Sequence, residues 1–342
     1  MGSSDGAGAE RAAPAPVAVV GDGSMGVTLA HVMASRGRRC LLWCDDPAAA
    51  RAVNHEHRHP ARPRHALSAE LRATDSLEEA VAGAALVVVA VPSTRFRETS
   101  RVLGALVGPG QVLLSATKGI ELPSLSLMSP LLGEAAPDAA VGAIMGPNIT
   151  PEIMEGRPTT LLVASPSPAA RERAAAALAG PRLRVEGTGD LPSHELASVL
   201  KNVVAIAVGV AAGRGMGFNA QGLVFARGLA EIEALGARLG AAVEAFRGIG
   251  CVADLFLTAS SPQSLNRRLG VELGGGASLD DVLRGLPEVP EGIGAVRACR
   301  LLAQREGMRL PLAGVTARIL EGKEDAGALE RVLMQDPPGA SR

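Results

Sequence analysis

Through the first half of the chain, short runs of mostly apolar residues alternate with longer stretches of helical periodicity. Residues 17–20, 40–43, 86–91, 112–114, 141–145 and 160–163 are short, mostly apolar runs, which predicts buried strands. The segments between them are rich in Ala, Leu and Glu. After residue 26, for example, Val27, Leu29, Ala30, Val32 and Met33 fall at helical spacing up to the stop at Arg36-Gly37. Strands alternating with helices predict an α/β fold whose parallel sheet is covered on both faces, that is, a doubly wound sheet. From residue 193 onward the strand pattern gives out. Residues 196–212, 220–239, 241–246, 279–284, 292–305 and 311–320 each carry an apolar face at helical spacing, which predicts an all-α second part.

The first strand runs directly into Gly21-Asp22-Gly23-Ser24-Met25-Gly26. In the order strand, glycine turn, helix, each glycine has a task. Gly21 permits the tight turn, Gly23 lets backbone N–H groups approach a pyrophosphate, and Gly26 lets the helix pack closely on the strand. Asp45 lies 19 residues beyond Gly26, after the second strand, where a carboxylate accepts hydrogen bonds from an adenosine ribose and repels a 2′-phosphate. The expected cofactor is therefore NAD rather than NADP, with Asp46 as an alternative to Asp45. The expected organisation is a tail at 1–16, a Rossmann-like dinucleotide-binding domain at 17–190, a helical substrate and catalytic domain at 191–334, and a tail at 335–342.

Composition narrows the field. The 342 residues are 47% hydrophobic with a formal net charge of −1, enough apolar material for large cores. Near-neutral charge and 2% aromatics argue against a nucleic-acid surface. The longest apolar stretch, 203–212, is too short to span a bilayer. Four cysteines without a C-x-x-C, and an N-terminus without an apolar signal core, fit a reducing cytoplasm. The histidines of Asn54-His55-Glu56-His57-Arg58-His59 have no second ligand cluster in sequence; a solvated loop and no metal are expected.

There is no tyrosine, which excludes any mechanism that needs a phenolic acid. Of 34 basic residues only Lys118, Lys201 and Lys323 are lysines. Where Arg has replaced Lys wherever charge alone suffices, a surviving lysine marks a place where a proton must be given up at a reachable pKa.

Several further motifs appear in a fixed order: Ala90-Val91-Pro92-Ser93, Ser115-Ala116-Thr117-Lys118-Gly119-Ile120-Glu121, Gly146-Pro147-Asn148, Leu200-Lys201-Asn202-Val203, Arg227-Gly228-Leu229-Ala230-Glu231, Asp254 with Thr258, residues 264–270, and Glu291-Gly292. Together with residues 21–26 they make the chain resemble the soluble NAD(P)-dependent glycerol-3-phosphate dehydrogenases over roughly residues 17–333. The resemblance implies reversible reduction of dihydroxyacetone phosphate to sn-glycerol 3-phosphate, a phospholipid precursor, by a homodimer. It implies Lys201 as proton donor and acceptor, with Lys118 and Asp254 completing the catalytic group. Gly21, Gly23, Ser24, Met25, Gly26, Asp45, Pro92, Lys118, Thr150 and Glu291 are expected to hold the cofactor. Lys118, Gly146, Asn148, Lys201, Asn202, Asp254, Thr258, Ser264, Asn266 and Arg267 are expected to hold the substrate. Thr258 and Asn266 also suit plain turn and helix caps.

The chain departs from the family pattern in three places, the first being Asp45, which follows Trp43-Cys44 where many NADP-using relatives carry an Arg. Ser264-Leu265-Asn266-Arg267 has Leu265 where the family carries its phosphate-binding Arg, and Ala253 replaces the usual Gly before Asp254. A dehydrogenase retuned to another small hydroxy or keto substrate, and a catalytically weak protein that senses the dinucleotide, are the competing readings.

Overall fold

The computed structural model describes residues 15–60 and 64–335. The expected tails fall outside those residues except at their inner ends. There Pro16 O accepts from Ala85 N at 2.8 Å and Gln335 O from Arg227 Nη1 at 3.1 Å, so both residues are already tied to the fold.

The first part of the chain runs β1 (Val17–Val20), α1 (Ser24–Ala34), β2 (Cys40–Trp43), α2 (Pro47–Glu56), β3 (Arg72–Thr74), α3 (Leu77–Val81), β4 (Leu86–Val89) and α4 (Ser93–Leu106). It continues through β5 (Val112–Ser115), α5 (Met128–Ala135), β6 (Ala140–Met145), α6 (Thr150–Met154), β7 (Thr159–Ala164), α7 (Pro168–Leu178) and β8 (Leu183–Thr188). The eight strands lie in the order β3-β2-β1-β4-β5-β6-β7-β8. Every neighbouring pair is parallel except β6 and β7, which are antiparallel, a correction to the expectation of a parallel sheet. β3 and β8 were not foreseen, because both are edge strands with polar residues among the apolar ones.

β1 shows how the sheet is held. Val17 and Val19 pack into one buried cluster while Ala18 and Val20 pack into another, so helices cover both faces. The register aligns Val20 with Trp43 of β2 and Val89 of β4, and Val89 with Ser115 of β5. The loops after β1, β2, β4 and β5 therefore open on one edge of the sheet. On that edge the strand order reverses between β1 and β4, which is where such sheets bind their ligands.

The second part contains α8 (Leu191–Gly213), α9 (Gly217–Arg238), α10 (Glu244–Arg247), a π-helical turn (Ile249–Ala253), α11 (Asp254–Ser260), α12 (Leu265–Gly274), α13 (Leu279–Arg284), α14 (Gly292–Arg305), α15 (Pro311–Leu320) and α16 (Gly327–Leu333). α8 is its axis, with residues 195–211 all buried and with α9, α12 and α14 packed around it. Glycines allow the closest of these approaches: a Cβ on Gly270 of α12 would stand 2.2 Å from Ile206 O of α8. By length and apolarity alone α8 could cross a bilayer, but 89% of its apolar window is buried in the protein, and it serves as a core helix.

Candidate active site

The dinucleotide groove begins at Gly21, whose φ of +108° is open to glycine and strained for other residues. A Cβ at Gly21 would lie 2.8 Å from Ala90 O, and one at Gly26 would lie 1.9 Å from Gly21 O. Gly23 differs: only Ala90 O, at 3.9 Å, comes within 4 Å of its would-be Cβ. The first and third glycines are thus fixed by the protein's own packing. The second leaves backbone open at the N-terminus of α1, where N–H groups and the helix dipole favour an anion. The residues present fit a dinucleotide pyrophosphate.

Met25 packs against the core beneath this turn, and Thr150 opens α6, which packs on α1. Asp46 caps α2 by accepting from Ala48 N at 2.8 Å. Of the two acids after β2, Asp45 is therefore the one not committed to a helix cap. It is also not alone. Arg95, in the first turn of α4, places Nη1 2.7 Å from Asp45 Oδ2 and Nη2 3.3 Å from Oδ1, an exposed fork that holds the Asp45 carboxyl below its usual range.

Two carboxylates of the segment before α14 reach across to the sheet edge. Glu288 Oε1 accepts from Ser24 Oγ at 2.5 Å, so an acid stands at the N-terminus of α1. Glu291 accepts from Ser93 N at 2.9 Å and Ser93 Oγ at 2.5 Å, capping α4, which begins just after Pro92. Burial pushes the Glu291 carboxyl pKa up, against those two hydrogen bonds.

The catalytic group assembles from three chain segments. Lys118 follows β5 on a loop tied to the turn after β4 by the Thr117 Oγ1 donation to Val91 O at 2.6 Å. Lys201 lies in the buried middle of α8, and Asp254 opens α11 after the π-helical turn. Such a turn is a local break in helical geometry that is frequent at functional sites. Asp254 Oδ2 lies 2.5 Å from Lys118 Nζ and 3.1 Å from Lys201 Nζ. Lys118 also donates to Asn148 Oδ1 at 2.8 Å and to Gly146 O at 3.2 Å, and Gly146 holds a φ of +110°. Lys201 donates to Thr258 Oγ1 at 2.6 Å, and that hydroxyl donates back to Asp254 O at 2.5 Å.

Two ammonium groups on one carboxylate leave an excess positive charge in a nearly dry place. Burial lowers the Lys201 pKa most, Asp254 opposes the shift and Lys118 adds to it, and the outcome is about 8. A lysine at that value can both give and take a proton near neutral pH, which Arg in the same place could not do.

Beside this group, Asn266 Nδ2 donates to Asn202 Oδ1 at 3.0 Å, and Asn266 Oδ1 accepts from Gly292 N at 3.1 Å. Ser264, not Asn266, caps α12, by accepting from Arg267 N at 3.2 Å. Arg267 Nε is buried without a hydrogen-bond partner, and Leu265 is the first residue of α12. The expected solvated loop of histidines fails twice: residues 54–56 are the last turn of α2, because the helix runs on to its C-cap at His57, and His59 is not solvated. It is buried, with Nε2 3.1 Å from Asp22 Oδ2, and its ligating atom lies within 4.8 Å of those of Asp22 and Cys44.

A doubly wound sheet with a glycine-turn nucleotide groove, and a lysine pair brought together at its edge, Lys118 from the loop after β5 and buried Lys201 from α8 of the helical part, define a nicotinamide-nucleotide-linked dehydrogenase. Residues 16–171 match the family described as NAD-dependent glycerol-3-phosphate dehydrogenase N-terminus, and residues 190–330 match its C-terminus. Curated relatives include the glycerol-3-phosphate dehydrogenases [NAD(P)+] of Azotobacter vinelandii, 36% identical over 324 residues, and Ectopseudomonas mendocina, 37% identical over 324 residues. Each alignment covers 94% of this chain and 95% of the relative. The crystal structure of glycerol-3-phosphate dehydrogenase from Coxiella burnetii superposes with a TM-score of 0.89 at 28% identity, covering 94% of this chain and 99% of that one. The chain belongs to the NAD-dependent glycerol-3-phosphate dehydrogenase family.

Proposed function

We propose that the protein interconverts dihydroxyacetone phosphate and sn-glycerol 3-phosphate with NADH and NAD, supplying a glycerophospholipid precursor. The observation that carries this reading is the convergence of Lys118 and Lys201 on Asp254 Oδ2, at 2.5 and 3.1 Å. When bound, the reduced nicotinamide supplies the hydride for the carbonyl carbon. Lys201 gives its proton to the carbonyl oxygen, and the excess positive charge shared with Lys118 stabilises the alkoxide as it develops. Asp254 and Thr258 hold Lys201 in place through both protonation states. In the reverse direction the Lys201 amine takes the hydroxyl proton.

Asn202 and Asn266 supply polar groups for the phosphate end, Thr258 being taken up by Lys201 and Asp254, and the relatives' name supports a phosphorylated substrate over a retuned one. A protein that only senses the dinucleotide has no use for a lysine held near pH 8. The division into a nucleotide domain to residue 190 and a catalytic domain from 191 belongs to the same reading, as do a cytoplasmic location and a homodimer. Exposed Phe218 and Met334 offer apolar surface that a second copy would cover.

The test is oxidation of NADH with dihydroxyacetone phosphate beside unphosphorylated dihydroxyacetone. Turnover with the phosphate alone is expected. If NADH binds and the phosphorylated ketone is inert, the substrate is different, and Leu265→Arg then reports whether phosphate recognition returns.

A further inference from the structure

We propose that Arg95 forms a subsite for the 2′-phosphate of NADP at the adenosine end of the groove, so that the chain accepts both nicotinamide dinucleotides despite Asp45. This rests on the nucleotide-groove part of the reading above and not on the identity of the ketone. An acid after the second strand of a dinucleotide fold selects NAD because its charge meets the 2′-phosphate with repulsion. Here that charge is already matched. Arg95 faces Asp45 through both terminal nitrogens, at 2.7 and 3.3 Å, and the two side chains arrive from opposite sides of β1, one after β2 and the other from α4. The fork thus reaches across the place where the strand order reverses.

The pair is exposed, with side-chain exposures of 49% and 55%. Exposed ion pairs contribute about 0–1 kcal/mol, so the guanidinium is released at little cost. A phosphate dianion offers the same planar fork a stronger partner than a monoanionic carboxylate, in the bidentate geometry that Arg suits and Lys does not. With NAD, Asp45 takes the ribose hydroxyls and Arg95 remains its counter-ion. With NADP, Arg95 turns its fork to the phosphate.

The charges of Asp22 and Glu98 also act on Arg95. With Asp45 they keep the surroundings acidic, so NADP is accepted at reduced affinity and not preferred. Arg97, two residues on, is committed elsewhere, to Glu121 and Glu134, and does not share the task.

Binding without chemistry tests the subsite directly. Trp43, the single tryptophan, ends β2 two residues before Asp45, so its emission reports ligands arriving there. Titrations of NADH, NADPH, 5′-ADP and 2′,5′-ADP are made with the wild type, Arg95→Ala and Arg95→Lys. Arg95→Ala is expected to weaken NADPH and 2′,5′-ADP at least tenfold while NADH and 5′-ADP change less than threefold, with Arg95→Lys recovering only part. Equal losses for all four ligands, or no loss for the 2′-phosphorylated pair, would overturn the proposal, as would a wild type that binds 2′,5′-ADP a thousandfold more weakly than 5′-ADP. None of these outcomes depends on which ketone is reduced, so failure of the subsite and failure of the substrate assignment are read separately.

Discussion

Lys118 and Lys201, 83 positions apart in sequence, direct their ammonium nitrogens at the same carboxylate oxygen, Asp254 Oδ2, from 2.5 and 3.1 Å. One anion between two cations cannot satisfy both charges fully. That surplus adds to burial, the larger cause, in lowering the Lys201 pKa from its ordinary 10.5 to about 8. The same surplus is what a developing alkoxide neutralises.

Removing the proton carrier comes first. Lys201→Met is expected to lower kcat by about 10²–10⁴, the usual contribution of a positioned acid. Lys201→Arg keeps the charge but cannot release its proton, and it is expected to fall in the same range. NADH binding, followed separately, should be nearly unchanged in both.

Asp254→Asn removes the only influence drawing the Lys201 pKa upward that comes from a neighbouring carboxylate. The pH at which reduction begins to fail should then move below its wild-type value, alongside a loss of kcat. A pH–rate profile of the variant checks this. An unmoved break would mean that Asp254 does not set the Lys201 pKa.

Glu288 stands on Ser24, where the α1 N-terminus is ready for an anion. Its carboxylate competes with a pyrophosphate for that position. Glu288→Gln is expected to tighten NADH about two- to tenfold in a fluorescence titration, with little change in kcat.

Glu195 of α8 is fully buried and accepts from Ser129 N at 2.9 Å and from Ser129 Oγ, pinning α5 to α8. Burial raises its pKa to about 7, from 4.5. Because the folded value is the higher one, its stabilisation is complete below pH 4.5 and is lost as pH rises through 7. The loss is of the order of 3 kcal/mol from the size of the shift. Glu195→Gln keeps an amide in hydrogen-bonding reach without the charge. It should flatten the dependence of unfolding stability on pH between about 5 and 8 and raise Tm at pH 8.

The strands of the sheet centre were legible because burial on both faces writes them as unbroken apolar runs, as in Val17–Val20 and Leu86–Val89. Arg72–Thr74 and Leu183–Thr188 lie at the sheet edges, where one side meets solvent and the run is broken by polar residues. The antiparallel pairing of β6 with β7 leaves no mark on an apolar run at all. Asp254–Ser260 and Leu265–Gly274 are short helices on either side of a site loop, and their motif residues outweigh their periodicity.

In the site, Lys118 and Lys201 were marked by the scarcity of lysine, and Asp254 by the family pattern. Arg95 on Asp45 and Glu288 on Ser24 were not, since each contact joins residues 50 or 264 positions apart. The signal that could have found Arg95 is its place in the first turn after the fourth strand, facing the same crevice as the acid after the second. Among so many arginines that position does not stand out by residue type.

The account turns on a single lysine that serves as acid in one direction and base in the other. The most direct test is kcat/KM against pH for both directions, with dihydroxyacetone phosphate and NADH, then with sn-glycerol 3-phosphate and NAD. Reduction is expected to fall as pH rises through about 8, and oxidation to rise through the same value. Breaks at unrelated pH values, or two limbs of the same sign, would contradict Lys201 as the shared proton carrier.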